Sequence, residues 1–225
     1  MDSGDTGTRV LAAALAHVPF DGWSATTLRA AAADADVPLA LARSLYPRGG
    51  VDLAMAYHRQ GDAAMVARLG AEDLGALRFR DRIARAVRIR LEGADRELVR
   101  RGTTLFALPQ HVGGGARALW GTADAVWTAL GDTTRDLSWV TKRATLSGVH
   151  AATVLYWLGD DSPEHHATWD FLDRRIDNVM QIEKAKAALR DNPLAKIFAN
   201  GPLARAAQKW RMPEVPDDLP GRFRP

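Results

Sequence analysis

One stretch of the chain, from Ala144 to Gly159, contains no aspartate, glutamate, lysine or arginine. A helix without charges over that length has no face for water, so we expect it to lie inside a helical bundle. The run is shorter than the roughly 20 apolar residues that a membrane span needs, and charged residues bound it at Arg143 and Asp160. The stretch therefore predicts a buried core helix.

A second helix is predicted directly after this run. Ser162 occupies the position of an N-cap, and Pro163 follows at the first helical position, where its missing N–H costs nothing. Apolar residues then recur at steps of three and four residues, which indicates an amphipathic helix. The apolar stripe consists of Trp169, Leu172, Ile176 and Val179.

The rest of the chain also predicts helices. β-Branched residues are scattered and period-two alternation never lasts, so we expect an all-α fold of about ten helices. With 225 residues, 47% of them apolar, the chain can bury a sizeable core. The N-terminus lacks the features of a secretory signal or a transit peptide, which predicts a cytoplasmic protein, and heavy use of alanine and arginine suggests a bacterial source.

The residue types needed for most catalytic sites are missing or badly spaced. There is no cysteine, which excludes disulfides, thiolate nucleophiles and cysteine metal sites. The adjacent His165 and His166 point about 100° apart on a helix and cannot share one metal. His150, on the uncharged run, is expected to be a satisfied histidine of the core or of a pocket. We therefore predict no catalytic residue, no metal site and no cofactor, and a protein that is not an enzyme.

The opening residues carry a recognisable pattern: a Gly22-Trp23 turn, an alanine-rich second helix, Val37 before a third helix and Tyr46-Pro47 after it. This pattern resembles the N-terminal helix-turn-helix of TetR-type regulators. The resemblance implies a TetR-like bundle with a three-helix unit at residues 1–50, a larger ligand-binding helical domain at 51–190, and a homodimer.

The third helix of a TetR-like regulator enters the DNA major groove and presents polar side chains there. In this chain the helix opens with Pro38, Leu39 and Ala40 instead. The groups that could touch DNA are Arg43, Ser44 and Arg48, so we do not expect specific DNA binding. A second basic segment, with six arginines between residues 78 and 90, permits a nucleic-acid face, but its arginines point several ways around a helix and favour a solvated flank.

Three later segments, at residues 80–92, 119–163 and 168–187, carry the motifs Asp136-x-x-Trp139-x-x-x-Arg143 and Trp169-x-Phe171-Leu172-x-x-Arg175. They are similar to the ubiquinone-biosynthesis accessory family (the "Coq nine" family). The resemblance implies an accessory protein that binds an isoprenoid lipid or quinone precursor at the bacterial inner membrane. It also implies that the protein presents this lipid to the demethoxyubiquinone hydroxylase. The surface that would dock the hydroxylase is implied at Asp136, Trp139, Val140 and Arg143.

Apolar side chains of the predicted C-terminal bundle could surround a long apolar ligand, as bundle pockets do. Tryptophans at helical spacing more often mark a filled core, so that alternative stays open. No polar constellation in the sequence identifies a site for a lipid headgroup. The candidate lipid-binding residues are Trp120, Val126, Trp127, Leu146, Val149, Thr153, Trp157 and Phe171.

The C-terminal segment at residues 191–212 predicts an amphipathic helical region with basic residues and aromatic side chains. Such a helix fits binding in the plane of an anionic membrane, and packing on the bundle or exchange within a dimer is the alternative. Residues 213–225 are rich in proline and are expected to be disordered. The candidate membrane-binding residues are Leu194, Lys196, Ile197, Phe198, Leu203, Arg205, Lys209 and Trp210.

Two functions remain open from the sequence. The first is the lipid-binding accessory role in ubiquinone biosynthesis. The alternative is a TetR-family transcriptional regulator that binds DNA and a small apolar ligand. The apolar opening of the third helix favours the accessory role, because a regulator needs hydrogen-bonding groups at that position.

Overall fold

The computed structural model describes residues 3–133 and 137–191. Over these residues the chain forms α-helices and one short 3-10 helix, without a strand, which confirms the predicted all-α class. The helices are α1 (Ser3–Asp21), α2 (Ala25–Asp34), α3 (Leu39–Leu45), α4 (Gly50–Ala71), α5 (Phe79–Glu92), α6 (Arg96–Phe106), α7 (Val112–Ala129), α8 (Leu137–Leu158) and α9 (His166–Asp191), with the 3-10 helix at Pro163–His165.

Helices α1 to α3 cover the residues that were predicted to form a helix-turn-helix-like unit. Ser24 caps α2, since its hydroxyl oxygen accepts a hydrogen bond from the backbone N–H of Thr27 at 3.1 Å. Gly22 precedes this cap with a φ of +65°, a conformation that glycine adopts without steric cost. The unit buries apolar side chains from α1, α2 and α3 together with Leu53 and Ala54 of α4 and Leu98 of α6. Its core is therefore shared with the helices that follow.

Specific hydrogen bonds also join this unit to the rest of the bundle. The indole nitrogen of Trp23 donates to the carbonyl oxygen of Leu98 at 3.1 Å, and Arg101 donates to the carbonyl oxygen of Pro19 at 2.6 Å. Gly50, the first residue of α4, lies against the backbone of Trp23 so closely that a Cβ atom would stand 2.2 Å from it. The turn at Trp23 is thus held on both sides by tertiary contacts.

The corner between α8 and α9 is built from side-chain caps. The carboxylate of Asp160 accepts from the backbone N–H of Thr168 at 2.9 Å and from its hydroxyl at 2.6 Å. Ser162 accepts from the backbone N–H of Ala167 at 3.1 Å. It precedes the 3-10 helix without a side-chain cap bond to it, and the α-helix begins at His166 instead of at the predicted Pro163. These bonds satisfy N–H groups that a helix start leaves without partners. They hold Glu164 and His165 in left-handed conformations with φ of 50° and 55°.

Two helix boundaries are set by particular residues. Helix α1 continues through Pro19 to Asp21, although a proline usually ends or kinks a helix. Helix α5 begins at Phe79, and before it the side chain of Asp73 accepts from the N–H of Gly75 in a turn. The uncharged part of α8, from Ala144 onward, is not enclosed on every side, since Leu155 and Tyr156 are exposed.

The chain divides into two compact units, one ending at Ile176 and the other beginning at Asp177. Of the second unit, the structure describes the part of α9 up to Asp191. The candidate membrane-binding residues between Leu194 and Trp210 lie outside the described residues. Within the described ranges, every helix is too short or too polar to span a membrane.

Candidate functional site

A cavity of about 460 Å³ lies within the first unit, enclosed by α4 to α8 and by the turn between α1 and α2. This volume falls in the range of roughly 300–1,000 Å³ that is typical of small-molecule pockets. Most of its wall is apolar. It is lined by Trp23, Ala54, Tyr57, His58, Arg90, Leu91, Leu98, Val99, Gly102, Thr103, Phe106, Ala107, Val112, Gly115, Ala116, Ala118, Leu119, His150, Ala151, Val154 and Leu155.

A buried hydrogen-bonded cluster adjoins this cavity and joins α4, α5 and α7. Arg90 donates from Nε to Oδ1 of Asp62 at 2.7 Å, and the hydroxyl of Thr122 donates to the same oxygen at 2.9 Å. His58 Nε2 lies 2.8 Å from the hydroxyl oxygen of Thr122 and 3.1 Å from the carbonyl oxygen of Ala118. Burial lowers the pKa of His58, so its imidazole is neutral at pH 7. The cluster therefore balances one buried cation with one buried anion.

A glycine makes room for this cluster on α4. A Cβ atom at Gly61 would lie 2.7 Å from Cζ of Arg90, so the guanidinium fits against α4 only because position 61 has no side chain. Arg90 Nη2 also donates to the carbonyl oxygen of His58 at 3.2 Å. The guanidinium is thus fixed by the helix backbone as well as by Asp62.

His150 of α8 also lines the cavity, and its side chain is 2% exposed. Burial, together with the smaller effects of the nearby Arg90 and His58, lowers the pKa of His150 to about 3. Its Nδ1 atom has no hydrogen-bond partner among the described residues. The prediction that His150 belongs to the core or a pocket is therefore confirmed for its position, but the ring is not satisfied as expected.

The other end of the cavity opens to the surface. Val112 and Leu155 line the cavity and are 59% and 62% exposed, so apolar side chains form its mouth. Near this mouth α7 starts against α6, where a Cβ atom at Gly115 would lie 2.9 Å from Cβ of Phe106. Small residues at the start of α7 therefore allow these helices to approach closely.

The predicted lipid-binding residues are not among those that line this cavity, so their role in lipid binding stays a prediction. Thr153 and Trp157 face the core on α8, whereas His150, Ala151, Val154 and Leu155 of the same helix face the cavity. An uncharged helix offers no polar side from which its orientation can be predicted. The remaining candidates are Val126, Trp127, Leu146 and Val149, which are buried, and Trp120 and Phe171, which are half-buried.

The cavity residues that sequence reasoning missed left weak signals. His58 and Asp62 stand four residues apart on a predicted helix, a spacing that places them on one face. Arg90 lies between Ile89 and Leu91 in an apolar stretch, which is unusual for an exposed arginine. Neither signal identifies the partner helix, because the two segments are separated by more than twenty residues.

The residues implied to dock a partner are split between the surface and the interior. Val140 is 45% exposed, and Trp139 is half-buried with its ring 5.6 Å from that of Trp120. Arg143 is 2% exposed, so its placement on a docking surface was wrong. Asp136 lies outside the described residues.

The guanidinium of Arg143 instead packs against the ring of Trp139. Its guanidinium donates to Asp124 at 2.5 Å and to Asp132 at 3.1 Å, and its Cζ lies 4.2 Å from the centre of the Trp139 ring. A cation over an aromatic ring is attracted by the negative face of the ring. The arginine thus fixes the tryptophan and does not itself present a charge to a partner.

Helix α3 exposes apolar groups where a DNA reader needs polar ones. Ala40 and Leu41 are exposed, next to exposed Arg43 and Ser44. The side chain of Arg48 donates to Asp52 at 2.6 and 2.9 Å, which reduces its availability for a phosphate. The surface of α3 therefore offers few groups for base readout.

The arginine-rich segment on α5 is extensively paired with acids. Arg85 donates to Glu72, and Arg88 donates to Glu92 at 2.7 Å. Arg80 approaches Asp173 of α9 at 3.5 Å. These pairs support the interpretation of the segment as a solvated flank. Within the described residues, His, Asp and Glu side chains form no cluster of three that could hold a metal ion.

Comparison with protein families identifies the region that forms two walls of the cavity. Residues 112–183, which cover α7, α8 and part of α9, match the COQ9 family model.

Curated relatives extend the similarity over most of the chain. Ubiquinone biosynthesis protein COQ9, mitochondrial, of Xenopus tropicalis is 31% identical over 183 residues, covering 77% of this chain and 57% of the relative. The protein of the same name from Drosophila melanogaster is 30% identical, covering 78% and 55%, and that of Homo sapiens is 28% identical, covering 77% and 57%. The chain thus spans just over half the length of these relatives.

The fold has a counterpart among solved structures. A TetR transcriptional regulator from Nitrosomonas europaea superimposes with a TM-score of 0.60 at 22% identity, covering 77% of this chain and 97% of the regulator. This likeness confirms the TetR-like architecture and shows the fold alone. We therefore identify the chain as a relative of the COQ9 proteins that is built on a TetR-like fold.

Proposed function

We propose that this chain is a non-enzymatic accessory protein of ubiquinone biosynthesis, which binds an isoprenoid lipid or quinone precursor in the cavity. The observation that carries the proposal is an apolar cavity with its mouth at Val112 and Leu155. Buried apolar surface contributes about 25 cal/mol per Å², so a long apolar chain is stabilised strongly in such a cavity. The names of the relatives support the pathway.

The test is organic extraction of the protein purified from its native membrane, followed by mass spectrometry of the extract. We expect a co-purifying prenylated quinone or another isoprenoid. Ala151→Phe should reduce the amount of bound lipid, because position 151 lines the cavity. Ala144→Phe is the matched control, since Ala144 is an exposed residue of the same helix. Lipid-free protein, or equal loading of both variants, would contradict the proposal.

We further propose that the lipid is presented to the demethoxyubiquinone hydroxylase through the surface formed by Trp139 and Val140. The geometry that supports this surface is the exposed Val140 beside a tryptophan held by Arg143. Large aromatic side chains fixed in place are typical anchors of protein interfaces. The hydroxylase itself is the partner that binding measurements should use.

Membrane association belongs to the same proposal. The basic and aromatic composition of residues 191–212 supports peripheral binding to an anionic bilayer. Deletion from Asp191 onward should lower the co-sedimentation of the protein with phosphatidylglycerol-containing liposomes. Undiminished co-sedimentation would remove this part of the proposal. The relatives are mitochondrial, and the bacterial source inferred from composition remains a prediction.

A transcriptional regulator is the second candidate, favoured by the TetR-like fold. The test is a mobility shift with genomic DNA fragments at increasing salt, because phosphate-driven binding weakens as salt rises. We expect weak binding that is lost at moderate salt, given the apolar surface at Ala40 and Leu41. A sequence-selective shift that persists would favour the regulator. The homodimer expected from the fold is tested by sedimentation of the same preparation.

A further inference from the structure

The two ends of the cavity differ in chemistry. Val112 and Leu155 form an apolar, exposed mouth. The opposite, buried end is lined by the polar side chains of His58, Arg90 and His150. A ligand that fills the cavity therefore meets polar groups at one end and apolar groups at the other.

The charged groups at the buried end already have partners. Arg90 donates from Nε to Asp62 at 2.7 Å and from Nη2 to the carbonyl oxygen of His58 at 3.2 Å. The two formal charges neutralise each other within the protein. A carboxylate or phosphate entering this end would lose its hydration without gaining an uncompensated cation. The site therefore disfavours an anionic headgroup.

The two ring nitrogens of His58 also have partners within the protein. Arg90 Nη2 lies 3.5 Å from Nδ1 of His58, which makes this nitrogen the acceptor and leaves the proton on Nε2. The Nε2 atom lies within hydrogen-bond distance of the carbonyl oxygen of Ala118 and of the hydroxyl oxygen of Thr122. Both nitrogens of His58 are thus occupied by protein groups.

His150 is different, because its Nδ1 has no hydrogen-bond partner among the described residues although the side chain is 2% exposed. Buried polar atoms in proteins are nearly always paired, and one that is left unpaired destabilises the fold. A neutral imidazole offers one donor and one acceptor, which suits a hydroxyl or a carbonyl oxygen. Because the side chain of His150 lines the cavity, a ligand oxygen that reaches the ring there would give it a hydrogen-bond partner.

We propose that His150 is the headgroup site of the cavity, which takes a ligand with a neutral oxygen, such as a phenol hydroxyl or a quinone carbonyl, at its buried end. The apolar tail of the ligand then runs outward past Val112 and Leu155. This inference rests on the proposed lipid-binding function and adds the class of headgroup and the orientation of the ligand. A fatty acid or a lipid phosphate would be excluded from the buried end.

The test uses three probes with one tail: 4-decylphenol, decylbenzene and 4-decylbenzoic acid, delivered from cyclodextrin to the full chain and measured by isothermal titration calorimetry. We expect the phenol to bind about 3- to 10-fold more tightly than decylbenzene, the gain of one net hydrogen bond, and more tightly than the benzoate. His150→Leu should abolish this preference while decylbenzene binds as well as before. His150→Gln, which keeps hydrogen-bonding groups, should retain part of it. His166→Leu is the matched control at an exposed histidine.

The possible outcomes distinguish a failure of the headgroup site from a failure of the proposed lipid-binding function. If the phenol and decylbenzene bind the unaltered chain equally, or if His150→Leu keeps the preference for the phenol, the headgroup site is wrong and the lipid-binding function stands. Tightest binding of the benzoate would overturn the neutral headgroup. If none of the three probes binds the unaltered chain, the lipid-binding function fails and the inference fails with it.

Discussion

Arg90 and Asp62 form a buried ion pair between α5 and α4, with 2.7 Å between Nε and Oδ1. Their positions are 28 residues apart in the chain, and the pair joins two walls of the cavity. Gly61 and Thr122 complete its surroundings, the first by leaving space and the second by donating to Asp62. The polar end of the cavity therefore depends on this contact.

Removing the arginine should destabilise the fold. Arg90→Met leaves the carboxylate of Asp62 buried without a cation, which costs about 3–5 kcal/mol of the free energy of unfolding. Arg88→Met is the matched control, because Arg88 forms an exposed pair with Glu92 on the same helix and its loss costs about 1 kcal/mol. Urea unfolding monitored by circular dichroism measures both values. Equal losses in the two variants would show that the Asp62 pair contributes no more than a surface pair.

The close approach of α4 to the turn at Trp23 gives a second prediction. In Gly50→Ala the new methyl group would stand 2.2 Å from the backbone of Trp23, and backbone atoms cannot move aside as a flexible side chain can. We expect a loss of about 1–3 kcal/mol or more. Gly121→Ala, in the interior of α7 with open space around it, should raise stability by about 0.5–1 kcal/mol. A neutral result for Gly50→Ala in thermal unfolding would refute the contact.

The buried His150 predicts a pH dependence of stability. Burial lowers its pKa to about 3 in the folded chain, against an ordinary value of 6.5. Between these values the unfolded chain binds a proton at this position and the folded chain does not. The free energy of unfolding should therefore fall as the pH decreases below 6.5, by at most about 1.4 kcal/mol per pH unit from this group.

His150→Gln removes this titration and should make the decline shallower. Urea unfolding at several values between about pH 5 and 7 measures the slope. His58, whose pKa burial also lowers, keeps its own contribution in the variant. His166→Gln, at an exposed position, serves as the control for the replacement of a histidine by glutamine. Parallel curves for the unaltered chain and His150→Gln would mean that His150 is hydrated in the folded state.

The surface at Val140 should be sensitive to charge. Val140→Glu should weaken binding of the hydroxylase by about 1–2 kcal/mol, as expected for a contact near the centre of an interface. The melting temperature should not change, because the side chain is 45% exposed. Val66→Glu provides the control, an exposed valine on α4. Surface plasmon resonance with immobilised hydroxylase measures the affinity of each variant. Identical affinities of Val140→Glu and Val66→Glu would remove Val140 from the proposed interface.

Arg143 variants should behave differently from those at the surface. Arg143→Met removes the guanidinium from Asp132, which keeps Lys142 at 2.8 Å, and releases the ring of Trp139. We expect a loss of stability of about 1–3 kcal/mol, and any loss of hydroxylase binding should follow the loss of stability. A variant of normal stability that binds the hydroxylase poorly would instead place Arg143 in direct contact with the partner.

The sequence alone determined the local structure of this protein. Helix α3 lies between Val37 and Tyr46, as the sequence pattern predicts, because its limits depend on residues that are neighbours in the chain. The resemblance to the COQ9 family was also visible in local motifs, and residues 112–183 confirm it.

Only the tertiary structure decided which side chains meet. In α8 the uncharged sequence has no polar face, so nothing local indicates that Ala151 faces the cavity and Thr153 the core. The burial of Arg143 depends on Asp124 and Asp132, which reach it from outside α8. Helical periodicity fixes the angles between side chains on one helix, whereas the rotation of that helix against its neighbours is set by the packing of the whole bundle.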